Sequence, residues 1–165
     1  MTLVSERLLQ AASLLAEHSG LGELSSDLLS LITSQCKVVS FSPGQVLSKA
    51  ETIPSEVHFL LSGQARLLTR HQGRLMTVEK LSAHRFAGLI SLCRASGCEE
   101  VIASTSGESL LIPDQLVVDS FLTHEGFCQW LSSTLFVAEA VDLLHRLSRD
   151  QPAQSFDLDP ALQAF

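Results

Sequence analysis

The strongest constraint on the fold is a series of short apolar segments in the middle of the chain, separated by residues that favour turns. The segments are residues 38–41, 46–47, 57–61, 65–68, 75–78, 101–103 and 110–112. Gly44, Gly63, Gly73 and Gly107 lie in the connections, where each can reverse the chain. Many short strands with regular turns are typical of β-sandwiches and barrels. Residues 37–115 are therefore predicted to form a β domain.

Amphipathic helical patterns lie on both sides of this β region. Residues 3–18 carry apolar side chains at intervals of three and four. A second helix is predicted from about residue 25 to 36, with Ser25 or Ser26 as its N-cap. Helical periodicity then returns at 116–149. The predicted organisation is an N-terminal helical lead-in (1–36), the β region (37–115), a C-terminal helical segment (116–149) and a tail or linker (150–165).

The composition limits the kinds of partner. With 165 residues, 45% of them hydrophobic, the chain is long enough for one packed domain without a metal or disulfide staple. Its formal net charge of −7 opposes a general attraction to nucleic acid or anionic membranes. It has no signal-peptide pattern and no apolar stretch long enough to span a bilayer. We expect a cytoplasmic domain, free or on the cytoplasmic side of a membrane protein, with no nucleic-acid partner and no direct membrane insertion.

No residue pattern indicates catalysis or a metal site. Cys36, Cys93, Cys98 and Cys128 form no CxxC pair, and the six histidines stand singly. No serine lies in a GxSxG motif, and no phosphate-binding glycine pattern of the Walker or dinucleotide type is present. The sequence predicts that the protein is not an enzyme and holds no metal. A redox role for Cys93 and Cys98, which bracket one predicted loop, stays open.

Two segments of the β region resemble the cyclic nucleotide-binding domain family. Residues 41–47, Phe-Ser-Pro-Gly-Gln-Val-Leu, look like the family's early strand and turn. Residues 57–67, Val-His-Phe-Leu-Leu-Ser-Gly-Gln-Ala-Arg-Leu, look like its strand, glycine turn and strand. Gly44 and Gly63 suit these turns because tight turns often require a positive φ. The resemblance covers roughly residues 24–144. It implies a mainly β fold with flanking helices: a β-roll (double-stranded β-helix, or jelly roll) with N-terminal helices and a C-terminal helix.

Residues 86–103 resemble the phosphate-binding cassette of this family. In the family, a strand there gives way to a short helix whose N-terminal amides point at the cyclic phosphate, an arrangement that favours an anion. The positions that keep the apolar frame are Phe86, Leu89, Leu92, Val101 and Ala103. The resemblance implies a ligand pocket formed by Phe86, Ala87, Gly88, Leu89, Ile90, Arg94, Gly97, Cys98, Glu99, Glu100 and Val101.

The groups that hold a cyclic nucleotide are missing from this cassette. In the family correspondence, Gly88 stands where a glutamate binds the ribose, and Gly97 stands where an arginine pairs with the phosphate. A buried phosphate without its guanidinium is poorly compensated, and Glu99 and Glu100 just beyond would repel it. Arg94 is the one cation of the segment and is expected to face solvent. We therefore expect a degenerate pocket and no cofactor, with neither cyclic AMP nor cyclic GMP bound in the usual way.

Two functional hypotheses follow from the resemblance. The first is a non-enzymatic regulatory or sensor module, the N-terminal domain of a larger protein such as an ATP-driven membrane transporter (ABC transporter). The second is a receptor domain for a cyclic nucleotide or an unusual small molecule, in a transcription regulator or channel. The expected partner is another protein or the remainder of a longer chain. Residues 121–147, which include Phe127, Trp130, Phe136 and Leu144, carry more apolar surface than one sheet face would cover, which predicts a homodimer through the helices.

Overall fold

The structure, a computed structural model, describes residues 3–71 and 74–135. The elements are, in chain order, α1 (Leu3–His18), α2 (Ser26–Gln35), β1 (Lys37–Phe41), β2 (Val46–Ser48), β3 (Glu56–Ser62), β4 (Ala65–His71), β5 (Arg74–Leu81), β6 (Phe86–Ala87), α3 (Leu89–Cys93), β7 (Glu100–Ala103), β8 (Gly107–Pro113) and α4 (Asp114–Thr123). Residues 125–135 are also helical, and we refer to them as the 125–135 helix. All seven predicted strand segments lie within observed strands.

The strands form two four-stranded sheets. Sheet A has the order β1-β8-β3-β6, sheet B has the order β2-β7-β4-β5, and the strand pairs are antiparallel. Consecutive strands of the chain often lie in different sheets, which is the arrangement of a β-roll. The mainly β architecture with flanking helices that the sequence predicts is therefore observed.

The glycine turn between β3 and β4 follows the expected geometry. Gly63 has φ of 81°, and Gly44 in the earlier turn has φ of 84°. A Cβ on Gly63 would also stand 2.7 Å from the carbonyl oxygen of Ser106. Both the left-handed backbone and the close approach of a neighbouring loop therefore favour glycine at this position.

The helices cover sheet A. Ser25 caps α2 by accepting a hydrogen bond from the Leu28 amide at 3.2 Å, as predicted. The larger core cluster joins α1, α2, α4 and the 125–135 helix to β3 and β8. Its buried members are Ala11, Ala12, Leu15, Leu28, Ile32, Cys36, Val57, Phe59, Leu89, Leu110, Ile112, Leu116, Val117, Phe127 and Leu131. A smaller cluster, which includes Phe41, Leu60, Leu81 and Val101, fills the space toward sheet B.

The C-terminal helical segment is interrupted, a feature that its periodicity does not predict. α4 ends at Thr123 because His124 is extended (φ −121°, ψ 104°), and the 125–135 helix then begins. This helix lies against the end of α1 so closely that a Cβ on Gly126 would stand 2.2 Å from the Gly20 carbonyl oxygen. The predicted helical residues 136–149, with Phe136 and Leu144, and the predicted tail 150–165 lie outside the described residues. In the part that is described, no helix has both the length and the hydrophobicity needed to cross a membrane.

Candidate functional site

The predicted cassette connects the two sheets. β6 belongs to sheet A, where Phe86 pairs with Phe59, and β7 belongs to sheet B. Between them, Gly88 adopts a left-handed conformation (φ 90°) as the N-cap of α3, and the buried Leu89 anchors the first turn in the large core cluster. Because the first amides of a helix have no partner inside it, this turn presents backbone N–H groups that need an acceptor.

The acceptor is the carboxylate of Glu99. Its Oε2 atom accepts a hydrogen bond from the Ser91 amide at 2.9 Å, and the amides of Gly88 and Ile90 also donate to the carboxylate. Glu99 is 5% exposed, so these bonds form away from bulk water. Glu99, which the sequence places in the cassette, therefore accepts hydrogen bonds from these amides. In the resemblance to the family, amides at this place point at an anion, the cyclic phosphate.

Ser91 holds the other end of this arrangement. It is fully buried, and its Oγ atom accepts hydrogen bonds from the amides of Cys98 (3.0 Å) and Glu99 (2.9 Å). Its own amide donates to Glu99, so the two residues bond reciprocally and close the loop between α3 and β7. Sequence reasoning missed this role of Ser91, since a serine in a five-residue helix carries no pattern of its own.

Burial dominates the electrostatics of the site. Desolvation raises the pKa of Glu99 above its ordinary range, and the hydrogen bonds from Ser91, Gly88 and Ile90 oppose that rise without cancelling it. Burial, and to a smaller extent the nearby charge of Glu99, raises the pKa of the Cys93 thiol to about 11. Cys93 is therefore a neutral thiol near pH 7, and it adds no negative charge beside Glu99.

The conformations of the two glycines assigned to the lost ligand groups disfavour side chains, for a steric reason at Gly97 and mainly for a backbone reason at Gly88. A Cβ on Gly97 would stand 2.4 Å from the Thr52 amide nitrogen, so an arginine there would displace backbone atoms. Gly88 has φ of 90°, and a Cβ there would meet Pro54 at 3.3 Å. The side chain that reaches the α3 amides comes instead from Glu99.

The remaining predicted site residues divide into a frame and a rim. Ala87 and Val101 are fully buried, and the half-buried Phe86 and Ile90 lie beside them. Arg94 is the half-buried C-cap of α3, and its amide donates to carbonyl groups within α3. The rim of the loop is formed by the exposed Cys98 and the half-buried Gly97. Cys93 and Cys98 are both free thiols.

The two acidic residues, which the sequence placed together, face different environments. In β7 and just before it, buried and half-buried residues alternate, with Glu99, Val101 and Ala103 buried and Glu100 half-buried. Successive strand side chains point to opposite faces, so Glu99 shares the inner face with Val101. The sequence Glu-Glu-Val-Ile-Ala shows no such alternation of polar and apolar residues; the signal available was the strand geometry itself, which places Glu99 on the same face as the apolar Val101.

The described residues hold no alternative site of comparable chemistry. Within residues 3–71 and 74–135, no group of three His, Cys, Asp or Glu residues is placed to hold a metal ion. Two surface clefts, of about 770 and 170 Å³, lie beside α1, and neither is lined by a residue of the cassette. The cassette is therefore the part of the described structure in which sequence and geometry both point to ligand chemistry.

The comparisons with known proteins identify the family. The model of the cyclic nucleotide-binding domain matches residues 38–124, more than half of the chain, and the chain belongs to this family. The fold implied by the resemblance is confirmed. Domains of this family are generally regulatory and non-catalytic, so the chain is a regulatory module of this type.

Solved structures with the same fold come from several kinds of protein. A cyclic nucleotide-binding domain from Methylobacillus flagellatus matches with a TM-score of 0.66 at 10% identity, covering 92% of this chain and 88% of that one. The Thermus thermophilus catabolite activator protein matches with a TM-score of 0.63 at 20% identity over 79% of this chain, which spans 63% of its length. The regulatory domain of Toxoplasma gondii PKA, solved with cAMP, matches with a TM-score of 0.59 at 15% identity, covering 88% and 51%. No curated protein sequence matches.

Proposed function

We propose that this chain is a non-enzymatic regulatory or sensor module whose pocket does not bind cyclic AMP or cyclic GMP in the usual manner of the family. The observation that carries the proposal is the buried Glu99 carboxylate on the amides of Gly88, Ile90 and Ser91. A cyclic phosphate would have to displace this carboxylate or bind beside it, and like charges repel strongly where water is excluded. The cassette therefore uses no cofactor.

The lack of space at Gly97 supports the same conclusion. A guanidinium that pairs with a phosphate needs a long side chain, and at Gly97 even a Cβ meets backbone atoms of Glu51 and Thr52 within 2.6 Å. An oxyanion in this pocket would lack the charge-assisted bidentate contact that an arginine supplies. The negative charge of Glu99 and the absence of an arginine at Gly97 both oppose the binding of a cyclic nucleotide.

Thermal denaturation with nucleotide tests the proposal. We expect the Tm of the wild-type protein in millimolar cyclic AMP or cyclic GMP to equal its Tm in the same concentration of 5′-AMP. A ligand that binds the native state must stabilise it. A rise of several degrees with a cyclic nucleotide alone would contradict the proposal and favour the second hypothesis, a small-molecule receptor domain.

We further propose that the module acts through its helices on a protein partner or on the rest of a longer polypeptide, such as a transporter of the ABC type at the cytoplasmic side of a membrane. On α4, Val118 is 43% exposed and Leu122 is 73% exposed. Residues four apart lie on one face of a helix, so these two form an exposed apolar strip. By contrast, Phe127, Trp130 and Leu135 pack against the domain's own core.

The proposed homodimer uses this strip on α4. We expect sedimentation velocity at micromolar concentration to show a dimer of the wild type and a shift toward monomer in Leu122→Ser. Thr123→Ala, exposed on α4 but about 100° around the helix axis from Leu122, is the matched control and should leave the dimer intact. A wild-type monomer at every concentration would contradict the homodimer and leave a different protein as the partner.

A further inference from the structure

The amides at the start of α3 are already satisfied from within the chain. Glu99 Oε2 lies 2.9 Å from the Ser91 amide nitrogen, and the carboxylate also accepts from Gly88 and Ile90. A carboxylate and a phosphate offer these donors the same kind of acceptor, a negatively charged oxygen. Because Glu99 is tethered only eight residues from Ser91, an external oxyanion would compete against a high effective concentration.

A second polar group borders the same space without a partner. Ser48 in β2 is 5% exposed, and its Oγ atom has no hydrogen-bond partner among the described residues. This atom lies 3.5 Å from the point where a Cβ of Gly88 would stand, beside the start of α3. A buried hydroxyl without a partner is uncommon in native proteins and indicates a place where a bound group could be accommodated.

We propose that Glu99 is an internal ligand of the cassette: its carboxylate occupies the site of a phosphate-like oxyanion, and shortening this side chain opens the site to such an anion, with Ser48 as an additional hydrogen-bond donor. The inference rests on the regulatory function proposed above and deepens it. The pocket is then regulated by a residue of the chain itself, which keeps the loop between α3 and β7 ordered without an external ligand.

The chain contains a built-in reporter of the cassette. Trp130 is the single tryptophan, and the sequence has no tyrosine. Fluorescence excited at the red edge of the aromatic absorption band therefore comes from this one side chain. Its ring centroid lies 5.5 Å from that of Phe86, two residues before Gly88, and Phe86 in turn contacts Phe59 at 5.0 Å. A change at the start of α3 is thereby transmitted to the environment of Trp130.

The test compares Glu99→Ala with Glu100→Ala, which removes the same charge from the adjacent, half-buried position. Each protein is titrated with inorganic phosphate, against chloride at equal ionic strength, and followed by Tm and by Trp130 emission. We expect Glu99→Ala to gain a phosphate-specific rise in Tm and a saturable change in emission, while wild type and Glu100→Ala show neither. Adding Ser48→Ala to Glu99→Ala should weaken the apparent phosphate affinity several-fold.

Two results with wild type and Glu99→Ala would overturn the proposal. One is a Glu99→Ala protein that responds to phosphate no more than wild type does, and another is a wild type that responds as strongly as the variant. An affinity unchanged by Ser48→Ala would remove Ser48 from the site. If Glu99→Ala does not fold, Glu99→Ser carries the test, because it also shortens the side chain and leaves the amides of α3 without their carboxylate. A folded Glu99→Ser protein with no phosphate response would equally overturn it. Binding of cyclic AMP to the wild type is a separate result that bears on the proposed function.

Discussion

Sheet A and sheet B each have four strands but very different surroundings. In β3 of sheet A, Val57 and Phe59 are fully buried beneath the helices, and Leu60 is fully buried on the side toward sheet B. In β5, the edge strand of sheet B, residues 74–78 are all exposed, including Leu75 and Met76. The packing energy of the domain is therefore concentrated on the helix-covered side, while sheet B depends more on strand pairing and on its smaller core.

The difference explains why the candidate site lies where it does. The cassette begins at Phe86 in sheet A, whose position is fixed by packing against Phe59 and Trp130. It ends in β7 of sheet B, where the buried carboxylate of Glu99 is fixed by hydrogen bonds. An apolar anchor on one side and a polar anchor on the other hold the same loop. The effects of substitutions on the free energy of unfolding should therefore differ between the two sides in magnitude and in pH dependence.

The largest effect is expected in the core of sheet A. Phe59 is fully buried among aromatic and aliphatic neighbours, so Phe59→Ala should lower the free energy of unfolding by about 3–5 kcal/mol. Urea denaturation followed by circular dichroism measures this change. Leu75→Ala on the open strand serves as the comparison and should change stability by less than about 0.5 kcal/mol. Equal losses in the two variants would contradict the contrast between the sheets.

A second, smaller effect is expected where the 125–135 helix meets α1. A Cβ on Gly126 would stand 2.2 Å from the Gly20 carbonyl oxygen, so Gly126→Ala must push the helix away from α1. We expect a loss of about 1–3 kcal/mol, typical of overpacking, together with a shift of the Trp130 emission. Gln129→Ala on the exposed side of the same helix is the control. Unchanged stability and emission in Gly126→Ala would mean that the helix does not depend on this contact.

The sequence predicts the helix-covered side better than the cassette. Apolar periodicity located α1, α2 and the strands because burial of one face of an element leaves a regular pattern. The break at His124 left no such pattern, since the apolar periodicity of the sequence continues across it. Glu99 was placed near the pocket, and its inward direction follows from alternation with Val101. Its bonds to the α3 amides could not be predicted, because they depend on Gly88 turning the chain and on Ser91 closing the loop.

The third expectation concerns pH and the polar anchor. Because burial raises the pKa of Glu99 above its ordinary value of 4.5, the folded protein binds this proton more tightly than the unfolded chain does. The stabilising contribution of the proton is complete below that ordinary value and is lost as pH rises through the pKa of the folded state. Wild type should therefore lose stability relative to Glu99→Gln as pH increases from about 4.5 toward neutrality.

Urea denaturation of the two proteins across this range measures the difference, and Glu100→Gln is the control. Cys93, the titratable neighbour coupled to Glu99, stays neutral throughout because its pKa is about 11. The free energies of unfolding of wild type and Glu99→Gln could instead differ by a constant amount, or increasingly in favour of wild type as pH rises. Either result would show that the hydrogen bonds to Glu99 outweigh the burial of its charge.

The smallest effect is expected on the open face of sheet B. Met76 is 51% exposed and pairs with Thr69 on the neighbouring strand. Met76→Thr keeps a residue that suits a strand and removes apolar surface from the sheet edge, so stability should change by less than about 0.5 kcal/mol. Leu81→Ala, at the 4% exposed end of the same strand, is the matched contrast and should cost about 2–5 kcal/mol. If Met76→Thr instead lost more than about 1 kcal/mol in urea denaturation, Met76 would be covered in solution. Sheet B would then have a partner where the isolated domain shows an open edge.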